Sequence, residues 1–354
     1  MNYLAKLIAL AFILAAITLV GCDEAKDNNK SKLLLLISGG GAGTAPGYKE
    51  TYTADGVTFK MVHVPGGKTF PTGTNDEGTA TVANAYWIGE TEATYELCYK
   101  VFVWATTDAG SGMRADGGVL YSSIFGPNPP RAGHDGFETD SQEPVTFLNW
   151  RHAMVWCNAL TEWYNAHKGT GYACVYYTDS GYTTPLRSVN DTGSVDSTPG
   201  GQDNPYVKPD ARGFRLPTSN EWELASRYID GTTWLYGDHA SGDQSGYCYN
   251  DGSPLGGQLL STVFGNYAVY EDNSGSSTAV VRNKTANALG LYDMSGNVWE
   301  WCFDWYPGFE GSYRVIRGGG WASEPTNLRV GLAAYIEPYF EEAIIGFRFS
   351  RSAP

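Results

Sequence analysis

Three short runs near the C-terminus most restrict what this chain can become: Asp293–Trp301 (DMSGNVWEW), Arg317–Trp321 (RGGGW) and Gly346–Arg348 (GFR). Each sets Gly beside Trp, Phe or Arg. Gly permits positive φ and close backbone approach, and Trp and Phe bury enough area to pin such turns against a core. Between the last two runs, Ala322–Ile345 mixes Ala, Ser, Glu, Leu, Tyr, Ile, Pro and Phe with no sustained period. The expectation is a stiff frame that presents an irregular surface.

The rest of the chain reads as short elements among long loops. With 44 Gly and 17 Pro, a helical bundle is excluded in favour of many turns. Val57–Gly73 reads as a strand, a Pro-Gly-Gly turn and a second strand, and Ala85–Glu92 as another strand. Thr94 caps a helix whose apolar stripe runs through Leu97, Val101 and Trp104. Arg151–His167 is a second amphipathic helix that buries Val155, Ala159, Leu160 and Trp163. Pro144–Asn149 and Gly213–Pro217 read as extended. Thr218 and Glu221 form a capping box that opens a helix through Arg227. No repeat and no boundary follows Tyr48, and two or three short helices among many strands and long loops indicate an α+β fold class.

The N-terminus carries its own signal. Lys6 precedes an apolar run, Leu7–Leu19, which fits a secretory signal and is short for a spanning helix. The run ends in Leu19-Val20-Gly21-Cys22, which resembles the lipobox of bacterial lipoproteins. Residues 1–21 are then a signal peptide, 22–48 an acylated Cys22 and tether, and 49–354 the folded domain. Acyl chains on Cys22 would anchor the protein to a membrane. Leu33–Ile37 belongs either to the tether or to an edge strand. The expected location is the bacterial envelope, lipid-anchored, at the outer membrane and cell surface. Asp23, directly after the acylated Cys, favours inner-membrane retention in some bacteria. A formal charge of -14 disfavours nucleic acid as a partner and suits solubility outside the cell or a cation such as calcium. Cys98, Cys157, Cys174, Cys248 and Cys302 show no metal-ligand spacing and read mostly as buried thiols.

GFRLPTSNEWELASR (Gly213–Arg227), NALGLYDMSGNVWEW (Asn287–Trp301), RGGGW and GFR occur in this order. MVHVPGG and YWIGETEATYELCYKVF precede them. Together these motifs resemble the sulfatase-modifying-factor, or formylglycine-generating-enzyme, domain family, from roughly Tyr52 to Arg351. The resemblance implies a C-type-lectin-like fold of the formylglycine-generating-enzyme type, with little regular secondary structure. It is closer still to a subset, variable lipoproteins diversified by retroelements. In that subset the last segment is rewritten between fixed motifs, which here implies Ala322–Ile345.

The resemblance also implies a pair of copper-binding cysteines shortly after the RGG motif in the enzymes. Ser323–Leu328 stands there, and no Cys follows Cys302. Cu(I) needs soft thiolates, so no copper and no catalysis of that type are expected. Asp293–Glu300 is the candidate metal site. Asp293 and Glu300 side chains with the Gly296 and Val298 carbonyls would give calcium four of its oxygens, and the resemblance supports a structural calcium there. The other reading makes Asp293 an Asx turn and pairs Glu300 with a buried Arg. Arg215, Arg317 and Arg348 read as buried partners of Glu221, Glu223 or Glu300. Aromatic groups without a period mark a binding surface. The expected contact residues are Trp321, Ala322, Ser323, Glu324, Leu332, Ala333, Tyr335, Ile336, Glu337, Tyr339, Phe340 and Glu341. The expected function is display of this surface to a protein or glycan ligand, without catalysis. The alternatives are oxidation of a substrate cysteine and an invariant structural module of the envelope.

Overall fold

Two four-stranded sheets share the same C-terminal stretch. The first has strand order β1-β2-β5-β14, from Lys49–Ala54 (β1), Val57–Val64 (β2), Tyr86–Gly89 (β5) and Ser350–Ser352 (β14). Lys68–Thr72 (β3) and Gly78–Val82 (β4) form a separate hairpin, and Arg131–Ala132 (β6) pairs with Val145–Thr146 (β7). Tyr176–Tyr177 (β8) pairs with Tyr206–Val207 (β9). The second large sheet has order β12-β11-β10-β13, from Trp299–Trp305 (β10), Arg314–Arg317 (β11), Ala333–Ile336 (β12) and Ile345–Gly346 (β13). The computed structural model describes residues 45–354 except 111, 126–128, 134–139, 246–260 and 262. The expected signal peptide, Cys22, Leu33–Ile37 and Cys248 lie outside the described residues.

The three α-helices among the described residues follow their caps. Helix α1 spans Tyr95–Thr106, and Thr94 Oγ1 accepts from Leu97 N at 3.4 Å. Leu97 and Val101 are buried as the stripe requires, while Trp104 is only half-buried. Helix α2 spans Trp150–Lys168, capped by Asn149 at its start and by left-handed Gly169 at its end. It is buried on nearly every side rather than on one stripe. Its Arg151 is wholly enclosed and pairs with Asp203, with two bonds of 2.7 Å. Helix α3 spans Ser219–Arg227, and Thr218 and Glu221 satisfy each other's backbone N–H in the expected capping box.

Strand partners depart from the sequence reading. The strands on either side of Pro65-Gly66-Gly67 do not pair with each other. β2 pairs with β1 and β5, and β3 pairs with β4. An added Cβ on Gly66 would lie 2.3 Å from Ala85 N, so backbone packs against this turn and leaves room only for Gly. Gly213–Pro217 is not a strand; it makes one bridge, Arg215 to Ser350.

The sheets are joined through residues 345–352. β13 runs parallel to β10, and β14 pairs with β5. Between them Phe347 and Phe349 enter the main core beside Trp156, and Arg348 donates to four separate carbonyl or carboxylate oxygens. Its Nε and Nη2 reach Glu300 Oε2 and Oε1, each at 2.6 Å. Nη1 reaches Gly89 O at 3.1 Å, and Nη2 also reaches Tyr292 O at 3.0 Å. Trp222 Nε1, from α3, donates to Glu300 Oε2 at 2.7 Å. Both charged side chains are fully buried. Arg348→Met leaves Glu300 buried without its cation, and about 3–5 kcal/mol of unfolding free energy should be lost in urea denaturation. Adding Glu300→Gln should recover part of that loss; a double variant as unstable as the sum of the singles would show that the pair is not coupled.

Candidate functional site

The turn before β10 gathers buried carboxylates. Asp293 and Asn297 adopt left-handed backbone, with φ of 57° and 64°. Gly296 has φ of 83°, and an added Cβ there would lie 2.1 Å from Val269 O. Only Gly fits that approach. Asp293 Oδ2 accepts from Arg282 N at 2.8 Å, while Oδ1 is buried with no hydrogen-bond partner. Glu92, which the sequence reading missed, joins the turn from the strand-to-helix connection. Its two oxygens accept from Val298 N at 3.1 Å and Asn297 Nδ2 at 2.8 Å. Burial, then repulsion from Asp293 and Glu300, pushes the Glu92 carboxyl well above its ordinary value. Burial raises Asp293 to about 6, against the pull of the Arg282 N–H and Arg348.

This geometry corrects the four-ligand calcium set. Glu300 points both oxygens at Arg348 and Trp222, so it takes the ion-pair alternative and is not a free ligand. Asp293 is held by the distant Arg282 N–H rather than by a local Asx turn. Among the described residues, no three His, Cys, Asp or Glu side chains are placed to hold a metal. What remains open to a cation is Asp293 Oδ1, a buried acceptor without a partner, in a cluster where Glu92, Asp293 and Glu300 all act on Arg348. Any metal held here would rely mainly on Asp293 and the Gly296 and Val298 carbonyls.

The C-terminal segment divides into anchors and surface. Trp321 is buried; its N–H donates to Asn297 O at 2.7 Å and its Nε1 to Ala343 O at 3.1 Å. Ser323 is also buried, and its Oγ accepts from Gly320 N at 3.0 Å. These two expected contact residues therefore belong to the frame, because the RGGGW turn needs them to close. Leu328, fully buried, packs with Ala240, Phe264 and Ala268. Ala322, Glu324, Tyr335 and Glu341 are exposed, and Leu332, Ala333, Ile336, Glu337, Tyr339 and Phe340 are half-buried. Leu332, Ile336 and Phe340 rest their inner sides on the main core. Tyr339 lies over the Arg151 guanidinium at 5.7 Å.

Tyr335 is the centre of an aromatic patch. Its ring lies 4.4 Å from Tyr306, 5.4 Å from Phe309 and 5.1 Å from Tyr313. Tyr335 and Phe309 are each 46% exposed. Tyr306, Phe309 and Tyr313 come from the β10–β11 turn, which the sequence reading passed over. Pro307-Gly308 and Gly311 among these aromatics were the available signal, since tight turns throw their side chains to one side. Beside the patch, at the end of β10, opens a 360 Å³ cavity that contains Asp304, Tyr306 and Ala333. Cys98, Cys157, Cys174 and Cys302 are buried free thiols, and Cys302 packs in the cluster that Tyr306 and Ala333 cover.

Mixed short sheets, a few short helices and a late glycine-turn frame define a formylglycine-generating-enzyme, C-type-lectin-like protein. Residues 49–353 match the sulfatase-modifying factor enzyme 1-like domain, and the chain belongs to that family. Treponema denticola variable protein 1, a solved structure, is similar at a TM-score of 0.60 and 29% identity, covering 86% of this chain and 99% of that one. The chaperone protein LppX of Paenibacillus barcinonensis is 32% identical over 59% of this chain and 68% of its own length. The formylglycine-generating enzyme of Streptomyces coelicolor is 30% identical over 40% of this chain, and the match spans 48% of that enzyme. No described helix is long and apolar enough to cross a membrane.

Anchor and surface should separate in stability measurements. Leu328→Ala should cost about 2–5 kcal/mol in urea denaturation. Tyr335→Ala should cost less than about 1 kcal/mol, because the ring is half in solvent. Equal losses would show that Tyr335 is structural.

Proposed function

We propose that this protein is a non-catalytic binder, held at the bacterial envelope by acyl chains on Cys22, that engages a protein ligand through its C-terminal face. The observation that carries this reading is the Tyr335 patch, an exposed aromatic surface on a segment whose two ends are pinned to the frame. Exposed aromatics of this kind dominate protein-binding hot spots. The likeness to a variable protein supports it, as does Ser323 with buried Leu328 where thiolates would be needed for copper. Relatives named as formylglycine-generating enzymes make cysteine oxidation the competing reading.

Two assays separate these readings. The full chain and a Tyr335→Ala/Phe309→Ala variant, displayed side by side, should differ in the proteins they retain by crosslinking. Identical retention overturns the binding reading. A cysteine-containing peptide incubated with the full chain and copper should yield no aldehyde by mass spectrometry; aldehyde formation would establish the enzyme.

A structural calcium at Asp293 is the second part of the proposal, with Asp293 Oδ1 and the Gly296 and Val298 carbonyls as ligands. Without metal, Asp293 titrates at about 6 in the fold against an ordinary 3.8. The native state then holds the proton more tightly, so this contribution to stability is complete below about pH 4 and is lost as pH rises through about 6. Two pKa units amount to at most about 3 kcal/mol. In chelator at pH 7, Asp293→Asn should be more stable than the natural chain by up to that amount, and at pH 4 the two should agree. Calcium should raise the melting midpoint of the natural chain and leave Asp293→Asn unmoved. A calcium response shared by both would exclude Asp293 as a ligand.

A further inference from the structure

The cavity beside the aromatic patch is lined by three charged side chains, Glu223, Asp304 and Arg317. It is lined by Ser219, Asn220 and Glu223 from the first half of α3, and by Asp304–Pro307, Arg317 and Ala333. Arg317 is already committed. It donates to Ser219 Oγ at 3.0 and 2.7 Å, to Leu332 O at 3.0 Å and to Glu223 Oε2 at 2.8 Å. Glu223 is shared between Arg317 and Arg227. Asp304 forms no ion pair among the described residues. One of its oxygens accepts from Ser219 N at 2.5 Å, and burial holds its carboxyl above the ordinary value. Arg314, whose charge also acts on Asp304, lies over Trp150 and Trp305 at 3.8 and 3.4 Å from the ring centres.

At 360 Å³ the cavity has room for a side chain or a small ligand but not for a folded element. A cationic tip would find Asp304, and its apolar stem would find Tyr306 and the small Ala333. Aromatic faces attract cations, and long basic side chains bury their methylenes against apolar groups. An acidic group would instead meet two carboxylates against a guanidinium that already serves Glu223. We propose that this cavity receives a single lysine or arginine side chain of the protein partner, with its charge at Asp304 and its stem between Tyr306 and Ala333. This rests on the reading of the C-terminal face as a protein-binding surface. It also gives position 333, inside the irregular segment, control of the cavity's depth, so a larger residue there closes it.

The probes are acetyl-arginine amide and acetyl-lysine amide, titrated against the full chain by saturation-transfer NMR, with the neutral citrulline counterpart as control. A cationic probe should bind saturably, and citrulline at least about tenfold more weakly. Asp304→Asn, which still accepts from Ser219 N, should weaken the cationic probe about tenfold or more. Ala333→Trp should do the same by filling the space, with the charge left in place. Citrulline binding as tightly as arginine, an unchanged affinity in Asp304→Asn, or no saturable cationic binding would each overturn the proposal. The retention assay with Tyr335→Ala/Phe309→Ala is independent of these titrations. Loss of retention there, together with failed titrations, would sink the socket and keep the binding face.

Discussion

The buried pair of Glu300 and Arg348 is the contact on which the arrangement depends. Taking both charges out of water is costly, and their attraction repays it only because nearly every donor and acceptor is used. Arg348 satisfies Glu300 twice, then Gly89 O in one sheet and Tyr292 O in the turn before the other. Trp222 adds α3 to the same carboxylate. A planar guanidinium meets these acceptors in one orientation only. The pair therefore specifies how the two sheets and the helix sit, more than it adds to stability. Phe347 and Phe349, on either side of Arg348, anchor the link between β13 and β14 in the core.

From that point the behaviour of the C-terminal segment follows. Its start is fixed by the RGGGW turn, where Gly296 N bonds to Gly318 O and Trp321 N to Asn297 O. Its end is fixed by β13 and β14. Between them, β12 is held to β11 by main-chain pairing, which is indifferent to most side chains. Tyr335 can then face solvent without loosening the frame. A rigid scaffold with a variable loop is the usual arrangement for residues that carry recognition, and the proposed binding role rests on it. Trp321 and Ser323 lie on the frame side of that division although they sit at the segment's start.

The same frame serves relatives with different chemistry, because function resides in the site rather than the fold. The formylglycine-generating enzyme of Streptomyces coelicolor and Treponema denticola variable protein 1 are both similar to this chain. The acidic groups here also have separate roles by environment. Glu300 and Glu223 are neutralised by arginines. Asp293 and Glu92 crowd one another in a dry turn, and Asp304, with no ion pair among the described residues, lines a cavity.

Local chemistry was readable from the chain alone. The caps at Thr94 and at Thr218 with Glu221, the three helices, the core role of Trp299 and Trp301, and the pairing of Arg215, Arg317 and Arg348 with glutamates follow from side-chain type and short spacing. A buried Arg needs a carboxylate, and few were near the motifs. Which strand lies beside which was not readable, since β2 and β3 differ in partner although they are neighbours in the chain. Nor was the approach of Glu92 to Asp293, of Tyr306 and Phe309 to Tyr335, or the preference of Glu300 for Arg348 over a metal. Periodicity and turn residues act over a few positions, whereas these contacts join residues tens to hundreds apart. Only the packed core, by excluding water and leaving one arrangement with its polar groups satisfied, brings them together.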